Sequence, residues 1–461
     1  MHHDVVIIGA GMSGLAAGIR VAHFDKRVCI LEKHYAFGGL NSYYKIGRRE
    51  FDVGLHAVTN FCGPERRNAP LSKLLRQLRL TREDFDLRPQ RHSEVRFPSA
   101  RLRFSNDVRL LIEEVAQAFP REVDRFRRLV RALEVYDDVR LDAPYSSARA
   151  TLRDRLGDPM LIEMLLCPVM YYGSAEEHDL DFTQFVTMFK ALFLEGFARP
   201  REGVRRIVKT LVRRFRAAGG ELRMRSPVRR ILVDGGRARG VELESGETIT
   251  ADVVLSSAGF VETMRLCPDS APAPADNEIG CVSFVEAIAV LDTPPAALGH
   301  DAAVMFYNDA DAFEYARPAG IVDCRSGVIC CPNNYQGHED MSEGVFRMTW
   351  LADYSQWARL GQVEYQSAKR ECEERFLEHA ARFVAPIRRH VVCTDLFTPR
   401  TIERYTGHLN GAVYGSPRKR RDGRTPVENL YVCGTDQGFL GIVGAMLSGI
   451  TMANVHVLER D

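Results

Sequence analysis

The sequence is short of most signals that settle a function by themselves. It has no excess charge of either sign: 62 lysines and arginines meet 61 aspartates and glutamates, a formal charge of +1. That excludes the strong basic bias by which nucleic-acid phosphates are held, so no nucleic-acid partner is expected. The eleven cysteines form no CxxC pair, their number is odd, and no apolar leader precedes the first strand-like run. They read as reduced thiols in a cytoplasmic chain. There is no HExxH or other zinc spacing, no GxSxG and no Cys–His pairing, which argues against nucleophilic catalysis and leaves no metal expected. No run of about 18 apolar residues is read as free of charge, which predicts no membrane-spanning helix. Repeats and low-complexity segments are also missing. What remains, 461 residues of which 45% are hydrophobic, has room for two domains and a large core.

The informative stretch starts at residue 4. Asp4 to Ile8 is a short run rich in β-branched residues that stops at Gly9, as a buried parallel strand does. Gly9, Gly11 and Gly14 then form GxGxxG on the turn into a helix. The first glycine permits the tight turn, the second lets backbone approach a pyrophosphate, and the third packs helix on strand. The helix N-terminus offers unpaired N–H groups to the phosphates. A second apolar run, Arg27 to Leu31, ends in Glu32, near the spacing at which an acid takes the ribose hydroxyls. A carboxylate there repels a 2′-phosphate, which argues against NADP. A dinucleotide is expected.

Gly38 and Gly39 follow the acid and allow a second close passage of backbone along an extended cofactor. Further on, Gly54 would let the segment Asp52 to His56, Leu55 included, lie flat against a planar ring. The C-terminal stretch repeats this logic with a strand Leu430 to Cys433, a turn at Gly434 carrying Asp436, and a helix from about Gly441 whose first turn holds Ile442, Val443 and Gly444. Asp436 is expected to accept hydrogen bonds from a polyol, and the helix end to face a ring that becomes anionic on reduction. A ribityl chain and an isoalloxazine edge have those needs, so the expected cofactor is FAD. Only one GxGxxG is present, which argues against a second nucleotide domain. Oxygen or a quinone is the expected electron acceptor.

Strand-and-glycine segments alternate with long stretches of helical periodicity at Val108 to Arg140, Ile207 to Ala218 and Glu364 to Phe383. Val228 to Ser257 reads as hairpin strands around Gly235-Gly236 and Glu244 to Glu247, followed by a buried strand. The expected fold class is α/β: a discontinuous cofactor domain from residues 1–60, 200–265 and 400–461. A substrate domain of 61–199 and 266–399, α+β and rich in helices, is inserted into it.

Residues 4 to 60 and 400 to 461 resemble the phytoene desaturase family of flavoproteins, the branch that also holds carotenoid isomerases and retinol saturases. Glu32-Lys33-His34 followed by Gly38-Gly39 is similar to the "EKH…GG" segment of the isomerases and saturases. "ARPREGVRRIV" through "SPVRRIL", "ADVVLSSAG" and "GHLNGAVYGSP" are similar to other family segments. The chain departs from the pattern at Glu202, where glycine is usual, and at Thr435-Asp436-Gln437. The resemblance implies a Rossmann-like FAD domain of glutathione-reductase type, with Lys33 in the cofactor site, Leu55 beside the flavin and backbone near Val228 facing adenine. It also implies an apolar polyene as substrate and His56 beside the ring, able to move a proton; His408 and Tyr414 fall in the other stretch expected near it.

The stripe of Phe182, Phe185, Phe189 and Phe193 fits either plain core or the wall of a long apolar tunnel. Phe185 and Phe189, with Tyr171 and Tyr414, are the candidate substrate contacts. Pro417 to Arg424 is the sharpest charge run and reads as a solvated loop or as a contact with an anionic membrane surface. Two other readings compete: an amine-oxidase-like flavoenzyme on a small polar substrate, and a polyisoprenoid-binding flavoprotein without turnover.

Overall fold

The computed structural model describes residues 2–54, 56–138, 144–269, 272–384 and 386–459. Leu55, one of the expected cofactor contacts, and Arg140 lie outside the described residues. Around the first glycine cluster the chain builds a seven-stranded sheet. His2–Ile8 lies at its centre, parallel to Val28–Leu31 on one side and to Thr248–Ser256 on the other. Glu221–Arg223 extends the first side and Leu430–Val432 the second, both in parallel. The antiparallel hairpin Val228–Asp234 and Arg237–Leu243 joins Thr248–Ser256. The parallel strands thus come from three distant pieces of chain.

This sheet is covered on both faces, so the Val5 to Ile8 part of its first strand is continuously apolar instead of alternating. Val5 and Ile7 enter the core under the helices, and Val6 and Ile8 enter a second core on the opposite face. Helix Met12–Ala22 packs on helix Gly441–Ala453 so closely that a Cβ at Gly449 would lie 2.0 Å from the Ser13 carbonyl oxygen. Both chain ends therefore share one layer. The segment Gly441–Leu458 corrects the expectation that no long uncharged apolar run exists. It is long and apolar enough to cross a membrane, yet 61% of it is buried inside the molecule, where it serves as a core helix.

A second sheet, also of seven strands, runs Val391–Phe397, Ser283–Leu291, Gly344–Ala352, Val322–Cys330, Val304–Asn308, Ser93–Arg96, Arg101–Phe104. It is antiparallel except where Val304–Asn308 meets Ser93–Arg96. Helix Gln362–Ala380 covers one face, and helices from residues 108–195 cover the other. The expected helix over Val108 to Arg140 is two helices, Val108–Ala118 and Val123–Val135. Pro120 lies between them, where a missing donor and a ring clash end a helix.

Candidate active site

A cavity of about 860 Å³ runs between the two sheets. At one end, Gly9 and Gly11 lie on its wall where the first strand turns into helix Met12–Ala22. Gly9 has a φ of +96°, and a Cβ at Gly14 would sit 2.1 Å from the Gly9 carbonyl oxygen. Only glycine permits that approach. Gly11 is different: a Cβ there would meet nothing within 4 Å, because it faces the open cavity. Gly14 itself packs beneath the turn and does not reach the wall.

Glu32 faces the same space, nearly buried. Its carboxylate accepts from the Ala10 and His34 backbone N–H groups, each at 2.8 Å, which pins it beside the glycine turn. Lys33, Gly38, Gly39, Gly54 and Val228 line the wall between this end and the middle. Gly54 lies where a Cβ would be 2.5 Å from the Leu40 carbonyl oxygen. Gly434 and Ile442 line the cavity from the C-terminal side.

Three expectations at that side are corrected. Asp436 is 1% exposed and off the wall; its two oxygens accept from the Phe260 and Ser416 N–H groups, the latter at 2.7 Å. It ties separate segments together, Phe260 and Ser416 to the turn at Gly434. The Val443 side chain and Gly444 Cα lie on the far side of the first turn of their helix, away from the cavity face of Gly441, Ile442 and Ala445, so these two residues have only backbone N–H groups to offer. The Phe185 and Phe189 rings are fully buried in a stack with Phe182 and Phe193, away from the wall. Their helix has core on all sides, so the stripe packs inward.

Tyr171 and Tyr414 do line the cavity. Tyr171 exchanges a 2.9 Å hydrogen bond with Ser326, and the Tyr414 hydroxyl donates to the Tyr171 carbonyl. Burial drives both phenols above their ordinary pKa. Behind Tyr414 the half-buried Lys419 donates to its carbonyl at 2.6 Å, and loss of solvent around it lowers that ammonium to about 8. The basic run is accordingly turned inward in part, with Arg420 paired to Glu278 and Arg421 to Asp181.

His56 lies on the wall in the middle of the cavity. Its Nε2 is 3.0 Å from Thr349 Oγ1 and 3.5 Å from Glu286 Oε1. Glu286 is ion-paired with Arg347, whose guanidinium also donates to the Val53 carbonyl at 2.6 Å. Burial pushes the Glu286 carboxyl up, but the Arg347 guanidinium paired with it and the hydrogen bonds it receives outweigh that and hold its pKa below the ordinary value. Asp52 is paired with the buried Arg199. His408 sits 3.6 Å from Glu262, whose charge outweighs burial and raises the imidazole pKa. Glu286 and Arg347 were missed from sequence. The available signal was a lone acid in Ser283–Leu291 and a lone base in Gly344–Ala352, two otherwise uncharged strands.

The cavity fits a dinucleotide that carries a flat ring. Two helices, Met12–Ala22 and Gly441–Ala453, present their N-termini to it, and neither is capped by a side chain. Their free N–H groups suit a pyrophosphate at one end and an electron-rich ring edge at the other. Glu32 and the glycine passages span the distance between.

Comparison with known proteins agrees. The family model described as flavin containing amine oxidoreductase matches residues 12–455. The chain is similar to all-trans-retinol 13,14-reductase of Danio rerio, 23% identical over 99% of this chain and 86% of that one. It is also similar to a chloroplastic prolycopene isomerase of Arabidopsis thaliana, 21% identical over 98% and 82%. An oxidoreductase structure from Methanosarcina mazei shares the fold, with a TM-score of 0.70 at 16% identity over 98% of this chain and 100% of the other. The chain therefore belongs to the flavin containing amine oxidoreductase family, and its cofactor is FAD.

Proposed function

We propose that this FAD-dependent oxidoreductase acts on a long apolar polyene, a carotenoid or related polyisoprenoid. It would desaturate, saturate or isomerise C=C bonds. The observation that carries this reading is the state of the cavity's side chains away from the glycine turns. Tyr171, Tyr172, Phe284, Val328, Val413 and Leu440 form apolar wall. The carboxylates beside them are already engaged: Glu286 by Arg347, Glu262 by His408 and Asp395 by the Tyr44 hydroxyl. An ammonium substrate would need an uncompensated carboxylate or an aromatic cage in a compact pocket. A polyene needs only buried surface, worth about 0.8 kcal/mol per methylene.

FAD, when bound, supplies a two-electron hydride acceptor and donor. The chain's part is to hold the substrate against the apolar wall, exclude water, and move a proton through His56. Oxygen or a quinone would take the electrons in the desaturating direction. The retinol reductase and the prolycopene isomerase among the relatives support a polyene substrate. The amine-oxidase reading is favoured only by the family's name and by the paired tyrosines of the wall.

Anaerobic mixing of the FAD-loaded protein with phytoene, lycopene or retinol tests the reading. Bleaching of the flavin absorbance by a polyene is expected, or recovery of colour when retinol meets the chemically reduced protein. Bleaching by amines and by no polyene would replace this reading with the amine-oxidase one. An unchanged spectrum with every candidate would favour a binding protein.

A further inference from the structure

We propose that Glu286 is a positioning residue that fixes His56 in one tautomer, with Nε2–H turned to Glu286 and Thr349 and Nδ1 presented to the cavity as the proton-exchanging nitrogen. The geometry stands by itself, while the use made of Nδ1 rests on the polyene reading above.

Several observations converge on this assignment. An ionised carboxylate only accepts hydrogen bonds. With Nε2 at 3.5 Å from Glu286 Oε1 and 3.0 Å from Thr349 Oγ1, which can accept as well as donate, the carboxylate favours the tautomer that carries the hydrogen on Nε2. Nδ1 has no hydrogen-bond partner among the described residues, and it is not one of the polar atoms sealed from contact. In a residue on the cavity wall, that leaves Nδ1 open to the cavity. The backbone of His56 is held as firmly: its carbonyl accepts from Arg199 Nη1 and the Tyr335 hydroxyl, both at 3.1 Å.

Arg347 completes the device. It grips Glu286 and, through the Val53 carbonyl, the loop that carries His56, so the acid and the imidazole share one anchor. The groups facing the ring are Glu286 on one strand, Thr349 on the next and the Tyr172 ring at 6.2 Å. The same logic, a buried carboxylate orienting an imidazole so that its other nitrogen faces substrate, operates wherever a histidine must keep one tautomer. The depressed pKa of Glu286 agrees with a partner ionised above the ordinary carboxylate range.

In the desaturating direction, Nδ1 would take the proton from the second of two neighbouring carbons, while FAD, when bound, would supply the acceptor for the hydride of the first. The electron pair left on the second carbon becomes the new π bond. Saturation is the reverse, with Nδ1–H giving the proton.

The test uses the full FAD-loaded chain labelled with ¹⁵N-histidine, with His56 assigned from the spectrum of His56→Gln. A long-range ¹H–¹⁵N correlation is expected to show the Nε2–H tautomer. Glu286→Gln should mix the tautomers and lower kcat for polyene-driven flavin reduction about 10- to 100-fold with KM unchanged. Glu286→Asp should restore part of the loss. Glu286→Gln leaves Arg347 without its counter-charge, so the double variant Glu286→Gln/Arg347→Gln, which removes both charges, provides a folded comparison. An Nδ1–H tautomer in the wild type, or wild-type kcat in a folded, FAD-loaded Glu286→Gln chain, would overturn the proposal. If no polyene reduces the flavin, the substrate reading fails while the tautomer measurement still decides the geometry.

Discussion

The two seven-stranded sheets meet the same cavity with different chemistry. The parallel sheet offers backbone: glycine turns, two uncapped helix ends and one pinned carboxylate, Glu32. The largely antiparallel sheet offers side chains: Glu286, Arg347 and Thr349 on adjacent strands, reaching His56. Backbone recognition suits a cofactor common to many enzymes, because N–H groups and close approach read phosphates whatever the substrate. Side chains offer chemistry that backbone does not, and the proposed roles of His56 and Glu286 draw on the second sheet for it.

The strongest way to break this division is at Gly14. Gly14→Val would drive a side chain into the Gly9 carbonyl and should weaken FAD binding by ~100-fold or more, about 3 kcal/mol. Flavin absorbance after gel filtration measures this, and a chain that keeps its colour would show that the glycine turn is not where the cofactor is gripped.

A change of comparable stability cost, but of opposite chemistry, belongs to the second sheet. Arg347→Met leaves the buried Glu286 without its counter-charge and should cost about 3–5 kcal/mol of stability near neutral pH. Glu286→Gln/Arg347→Met should recover most of that loss. The pH dependence sharpens the point. In the wild type the Glu286 pKa is lowered, so its contribution is present above the ordinary carboxylate range and lost as pH falls through and below it. In Arg347→Met, burial dominates and the folded pKa rises above the unfolded value. The folded state then binds the extra proton, so this variant should be more stable at pH 5 than at pH 8. Denaturant midpoints at the two pH values decide it.

The smallest effect separates wall from core. Phe189→Leu should cost only about 1 kcal/mol of stability, leaving FAD content and the substrate KM unchanged, since the ring lies in the stack behind the cavity. A raised KM would return Phe189 to the substrate wall.

Legibility from sequence followed the same division. Gly9, Gly11, Glu32, Gly38, Gly54 and Gly434 were singled out from the residues around them, and all line the cavity. Their requirement is local, a turn or a close approach written within a few residues. Asp436 was misjudged because an acid in a turn looks the same whether it meets a ligand or, as here, two distant N–H groups. The phenylalanine stripe failed for a related reason, since helical spacing names a buried face without saying what is buried against it.

By itself, then, the order of residues determined the nucleotide turn, the strands that flank it and the apolar runs that must be covered, because each depends on neighbours in the chain. Tertiary structure alone decided that Glu286 and Arg347 would face His56, some 230 and 291 positions away. A lone charge in an apolar strand has to find a partner out of water, and only the packing of two sheets could supply one.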